Sequence, residues 1–151
     1  YQSGPLSFEF FFKNTKIITN SGYFQDYNHQ LNSISKSTAT HSTLIVDNSS
    51  ACNFKINGKG PSTVNKGLRT FNNEVTYEKN YWGIKCSHDG YLSRYGVIHE
   101  RKLEFNTVQN VLFGRENLIK KNKLSSGTKL PSLKNFFSYS NEADKQSVSY
   151  L

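Results

Sequence analysis

The period of the apolar residues limits this fold more than any other feature. No segment keeps a 3.6-residue spacing for more than about two turns, whereas several short runs alternate every second residue. Residues 6–12 place Leu6, Phe8, Phe10 and Phe12 on one side and Ser7 and Glu9 on the other. That is a half-buried strand, and Lys13, Asn14 and Thr15 turn it into a second strand at residues 16–19, a hairpin. Further strands are predicted at residues 41–47 and 53–57, the latter entering the turn "NGKGP", where Asn57-Gly58 is a strong turn signal. Residues 75–78, 81–87 and 97–105 follow, and a last pairing joins residues 111–113 to 117–120. Phe and Tyr number 11 and 9 against a single Trp, a composition suited to strands. The fold class expected is all-β, an antiparallel β-sandwich.

Two stretches lack this pattern. Residues 20–40, "NSGYFQDYNHQLNSISKSTAT", are polar without a sustained period, and a long ordered loop is expected. From residue 121 the chain is rich in Lys, Ser and Asn, so residues 1–120 are read as the domain and residues 121–151 as a poorly patterned tail.

A chain of 151 residues can bury one core without staples, and Cys52 and Cys86 are expected as free thiols, although one disulfide is open to them. The net charge of +8 favours anionic partners: nucleic acid, a membrane surface or an acidic polysaccharide. "LIKKNK" lacks interleaved aromatics, which argues against nucleic acid. No apolar run reaches the roughly 18 residues of a spanning helix, and no signal peptide is seen. Met is absent even at position 1, as expected of a piece of a longer protein, with any targeting signal upstream of Tyr1.

The densest polar block lies inside predicted strands: "SHDGYLSRYGVIHERKLEF", residues 87–105. Period two puts Trp82, Ile84, Cys86 and His88 on one face. It also groups Val97, His99, Arg101, Leu103 and Phe105, with Glu100, Lys102 and Glu104 opposite. A guanidinium on an apolar face is costly unless paired, and Asp89 and Glu116 are the candidate partners. Two readings stay open: a structural polar cluster closing a sandwich, or a surface that recognises sulfate or carboxylate through an Arg fork. General catalytic motifs are missing: no P-loop, no G-x-S-x-G, no H-E-x-x-H and no zinc-spaced cysteines. His29, His41, His88 and His99 lie far apart, and each alone reads most simply as hydrogen-bonded structure.

The ordered blocks "GPLSFEF", "IITNSGYF", "TATHSTLIVDNS", "SHDGYLSRYGVIHERKLEF" and "LFGRENLI" resemble the C-terminal part of the heparinase II/III-like family. The resemblance implies a β-sandwich that packs against an N-terminal (α/α) toroid in the parent chain, and a periplasmic or cell-envelope setting. It implies eliminative cleavage of uronate-containing polysaccharides, with an acidic polysaccharide as partner and much of the catalytic set supplied by the toroid. From the sandwich it implies a catalytic His at His41, and substrate contacts from His88, Asp89, Tyr91, His99 and Arg101. The alternative is a non-catalytic carbohydrate-binding or scaffolding module. Lyases of the family hold a structural zinc. Here His41 matches one ligand, while Gln2 and Asn20 stand where a His and an Asp are expected, so no cofactor is predicted. A remnant hydrogen bond between His41 and Asn20 is expected instead.

Overall fold

The computed structural model describes residues 2–55, 62–121, 140–142 and 145–150. These carry ten strands, two α-helices and one 3₁₀ turn, with antiparallel pairing throughout. The all-β antiparallel class expected from alternation is thus the class observed. The chain divides at residue 69 into two compact units.

In the first unit, β1 (Phe10–Phe12) and β2 (Thr15–Ile18) form the expected hairpin. Phe12 faces Thr15 across a two-residue turn, and Lys13 and Asn14 both take positive φ, 44° and 63°. Two such residues make the turn whose twist matches that of the paired strands. β1 begins later than the alternation suggests because Leu6, at φ 58°, leaves the extended region.

The segment expected as a loop contains helix α1 (Gln30–Lys36) and a 3₁₀ turn at Thr38–Thr40. Two signals were hidden. The helix is capped by a histidine, whose His29 Nδ1 accepts the Leu31 N–H at 3.2 Å, and it buries Asn32, Ser35 and Lys36 while Leu31 and Ile34 stay exposed. An inverted amphipathic helix gives no apolar stripe to read. The strand expected at residues 41–47 is also absent. The Thr43 N–H bonds back to the His41 carbonyl, Asp47 and Asn48 turn at positive φ, and a single bridge joins Val46 to Ser49. Leu44, Val46 and Ala51 are buried here beside a polar stitch, in which Ser3 and Thr38 hydroxyls meet at 2.9 Å and accept the N–H groups of Cys52 and Ala51. β3 (Asn53–Lys55) pairs with β4 (Thr63–Lys66), and the Asn57-Gly58 turn lies outside the described residues.

The second unit is one sheet in the order β5-β6-β7-β8-β10-β9. Its strands are β5 (Thr70–Glu78), β6 (Tyr81–His88), β7 (Val97–Asn106), β8 (Val111–Lys120), β9 (Ser140–Glu142) and β10 (Lys145–Tyr150). β8 is continuous, not the two paired pieces expected. Gly114 and Glu116 interrupt the apolar alternation of the sequence, yet they lie opposite Leu103 and Arg101 in an unbroken ladder. Of the tail, residues 140–142 and 145–150 are strands, and 122–139 lie outside the described residues. Helix α2 (Leu92–Tyr95) connects β6 to β7 and ends at Gly96, whose φ of 70° suits glycine and whose N–H closes the turn on the Leu92 carbonyl at 2.9 Å. Cys52 and Cys86 are both free thiols. Among the described residues no helix is long and apolar enough to cross a membrane.

Candidate functional site

Register brings the polar residues of the 87–105 block together. His88 lies opposite His99 and Cys86 opposite Arg101, while Arg101 in turn faces Glu116 on β8. Directly opposed residues share a sheet face, so three strands place two imidazoles, a guanidinium and a carboxylate side by side. All are buried: His88 and His99 are 0% exposed, Glu116 2% and Arg101 4%. Burial on this scale is tolerated only when every donor and acceptor is used.

The hydrogen bonds assign the protons. The Gly90 N–H donates to His88 Nδ1 at 3.1 Å, which leaves that nitrogen bare and puts the imidazole proton on Nε2. That Nε2–H donates to His99 Nδ1 at 2.9 Å, so the second ring also carries its proton on Nε2 and donates it to Glu116 Oε2. From the other side Arg101 Nε donates to Glu116 Oε1 at 2.6 Å, and its Nη2 reaches the same oxygen. The result is a one-way chain of donors from the Gly90 amide to a carboxylate, ending in a buried ion pair. Burial, with help from His99, pushes the His88 imidazole down to about 3. Burial alone would raise the Glu116 carboxyl, but the hydrogen bonds from His99 and Arg101 and the charge of Arg101 outweigh it and hold it below its ordinary value.

Arg101 therefore has Glu116 as its partner. Asp89 goes elsewhere: its carboxylate takes the Arg69 backbone N–H at 2.7 Å and Arg69 Nε at 3.1 Å, while its own N–H donates to the Arg69 carbonyl at 3.1 Å. Partial burial raises the Asp89 carboxyl, yet these contacts with Arg69 leave it below its ordinary value. Tyr91 is 0% exposed and rests its ring 5.5 Å from that of His88. Of the five residues expected to touch substrate, His88, His99 and Arg101 form the buried chain and Tyr91 packs against it. Asp89 stands at its edge.

His41 belongs to the first unit. Its Nδ1 lies 2.8 Å from the Ser37 carbonyl, which can only accept, so Nδ1 carries the proton and Nε2 holds a lone pair. That Nε2 is buried and has no partner. The ring is seated against Gly4, where a Cβ would come within 2.5 Å of the His41 Cδ2. The expected bond to Asn20 is not made. Asn20 Oδ1 instead accepts from the Ser42 N–H at 2.8 Å and the Ser42 hydroxyl at 3.1 Å.

Residues 1–135 match the family described as heparinase II/III-like, C-terminal. The chain belongs to the heparinase II/III-like family. Its antiparallel strands are those of the β-sandwich in which members of the family end. No curated protein and no solved structure matches it.

The residues of this heparinase II/III-like chain do not fit the zinc that the family implies. The amide oxygen of Asn20 is taken up by Ser42, and the Gln2 amide donates to the Gly22 and Ser35 carbonyls at 3.1 and 3.3 Å. Among the described residues no three His, Cys, Asp or Glu side chains gather as a metal would need.

Sequence reasoning missed Arg69 altogether. It stands 20 residues before Asp89 at the mouth of β5, and only the pairing of β5 with β6 brings the two together. A polar residue just outside the strands at each end of a hairpin was the one available signal.

Proposed function

We propose that this chain is the C-terminal β-sandwich of a polysaccharide lyase that cleaves acidic, uronate-containing glycans by β-elimination. It acts with an N-terminal toroid domain of a longer protein and does not turn over substrate by itself. The match of residues 1–135 to the family carries this reading. The net charge of +8 supports a polyanionic substrate.

In such a reaction a base removes the proton at C5 of the uronate. The C4–O bond then breaks, electrons close a C4=C5 double bond, and the leaving oxygen takes up a proton. His41 is assigned the part of proton acceptor on the sandwich side. Its Nδ1–H is oriented by the Ser37 carbonyl and its Nε2 lone pair is unpartnered, which is the state a general base needs. No metal is invoked at this position, because the amides of Gln2 and Asn20 are committed to other hydrogen bonds. His88, His99 and Arg101 are assigned to the frame of the sheet, since their hydrogen bonds run to one another and to Glu116, and Tyr91 packs its ring on His88.

The test is the full-length protein offered uronate polysaccharides, with unsaturated uronate ends followed by ultraviolet absorbance. Product is expected from the wild type, and a loss of about 10²-fold or more in rate from His41→Ala. Binding of the glycan without any product would replace this reading with a non-catalytic carbohydrate-binding module.

A further inference from the structure

We infer that Arg69 is an anion-binding residue of this chain, and that the buried chain from Glu116 to Gly90 serves to hold it in place for the carboxylate of an acidic glycan. The inference rests on the glycan reading above and adds the residue that recognises the charge.

Arg69 is exposed, at 87% of its side chain, yet it is held on one side by Asp89 at three points. Two of them are backbone groups of Arg69, its N–H and its carbonyl, and the third is Nε. An ordinary surface arginine spends its rotamer freedom on every contact it makes. Here Nε is already held on Asp89 Oδ2 at 3.1 Å, which narrows the rotamers open to the guanidinium, and the 87% exposure of the side chain leaves its Nη groups to solvent. A fixed pair of N–H donors fits the two oxygens of a carboxylate.

What fixes Asp89 is the buried chain. The residue before it, His88, is locked to His99 and through it to Glu116, and the residue after it, Gly90, donates its N–H back to His88 Nδ1. Asp89 is thereby caught between two anchored neighbours. The Leu92 N–H closes the turn on the Asp89 carbonyl at 2.9 Å. A costly buried network beneath an exposed, clamped arginine is the arrangement expected of a preorganised recognition group. Asp89 is then a positioning residue.

Calorimetric titration of the chain with a short uronic-acid oligosaccharide tests this, with a sulfated, uronate-free oligosaccharide as a second arm. Arg69→Gln and Arg69→Lys should each weaken uronate binding about tenfold or more, because lysine keeps the charge and loses the fork. Lys79→Gln removes the same charge from an exposed turn and should change binding less than about twofold. Asp89→Asn separates positioning from charge. It makes the surface more positive, so a bulk charge effect predicts tighter binding, whereas loss of the clamp predicts weaker binding.

Arg69→Lys binding as well as wild type, or Arg69→Gln matching Lys79→Gln, overturns the inference, as does absence of uronate binding by the wild type. Equal loss in both arms would support the site as one for oxyanions in general, and loss confined to the uronate arm would support a carboxylate site. Thermal unfolding of Asp89→Asn guards against a folding defect, and the two Arg69 variants decide the matter if it is unstable. The lyase reading is judged separately by product formation in the full-length protein.

Discussion

Replacing Glu116 with Gln changes one oxygen to an amino group and removes one buried charge. Both carboxylate oxygens are in use: Oε2 receives His99 Nε2–H and Oε1 receives Arg101. A glutamine offers one acceptor and one donor. Whichever way it turns, its amino group faces a donor, and the Arg101 guanidinium, 4% exposed, loses the charge of Glu116. Breaking a buried pair from one side costs about 3–5 kcal/mol. For a chain of this size that lowers Tm by roughly 6–20 °C. Glu74→Gln is the comparison. Glu74 is 64% exposed and meets Lys85 at 3.4 Å, so its loss should cost below about 1 kcal/mol. The double variant Arg101→Met with Glu116→Gln should recover part of the loss, since no charge stays buried and the Gln oxygen still serves His99. Urea unfolding of the four proteins measures all of this. A Glu116→Gln cost no larger than that of Glu74→Gln would refute the reasoning.

Acid should destabilise the second unit. His88 titrates near 6.5 when unfolded and at about 3 when folded, so the unfolded state takes up a proton first as pH falls. Its contribution is complete above about pH 6.5 and is lost towards pH 3, up to roughly 5 kcal/mol in all, and the lowered Glu116 carboxyl acts in the same direction. Urea midpoints between pH 7 and 4 should fall for the wild type and fall less for His88→Gln; a flat profile contradicts the assignment. Gly96→Ala forces a side chain into φ 70° and should cost about 1 kcal/mol or more by thermal unfolding, with no loss meaning that the turn relaxes freely. Added zinc should leave Tm unchanged to within about 1 °C, because a single unpartnered imidazole binds metal weakly; a large zinc-dependent rise would show a donor set that the amides of Gln2 and Asn20 conceal.

Alternation by itself determined the class and the middle strands of the larger sheet. The strands of the β5-to-β7 meander, and the face shared by His99, Arg101 and Leu103, follow from period two because a pleated strand leaves each side chain only two directions. The β1-β2 hairpin was legible for the same reason, with Asn14 marking its turn. Helix α1 was not, since it buries Asn32, Ser35 and Lys36 and turns Leu31 and Ile34 outward, a choice that depends on the polar partners waiting for it. Nor was the course of residues 41–47, where apolar alternation was real but local hydrogen bonds bent the chain before a ladder formed.

The sequence also offered Arg101 two acids, Asp89 and Glu116, and had no means to choose. Pairing chose between them. The β7-β8 register sets Glu116 beside Arg101, and the β5-β6 pairing brings Arg69 to Asp89. Which charges meet is a property of register between strands distant in sequence, and no local pattern encodes it. The direction of the protons along Gly90, His88, His99 and Glu116 likewise exists only once the four groups are packed, because each donor is defined by the acceptor next to it.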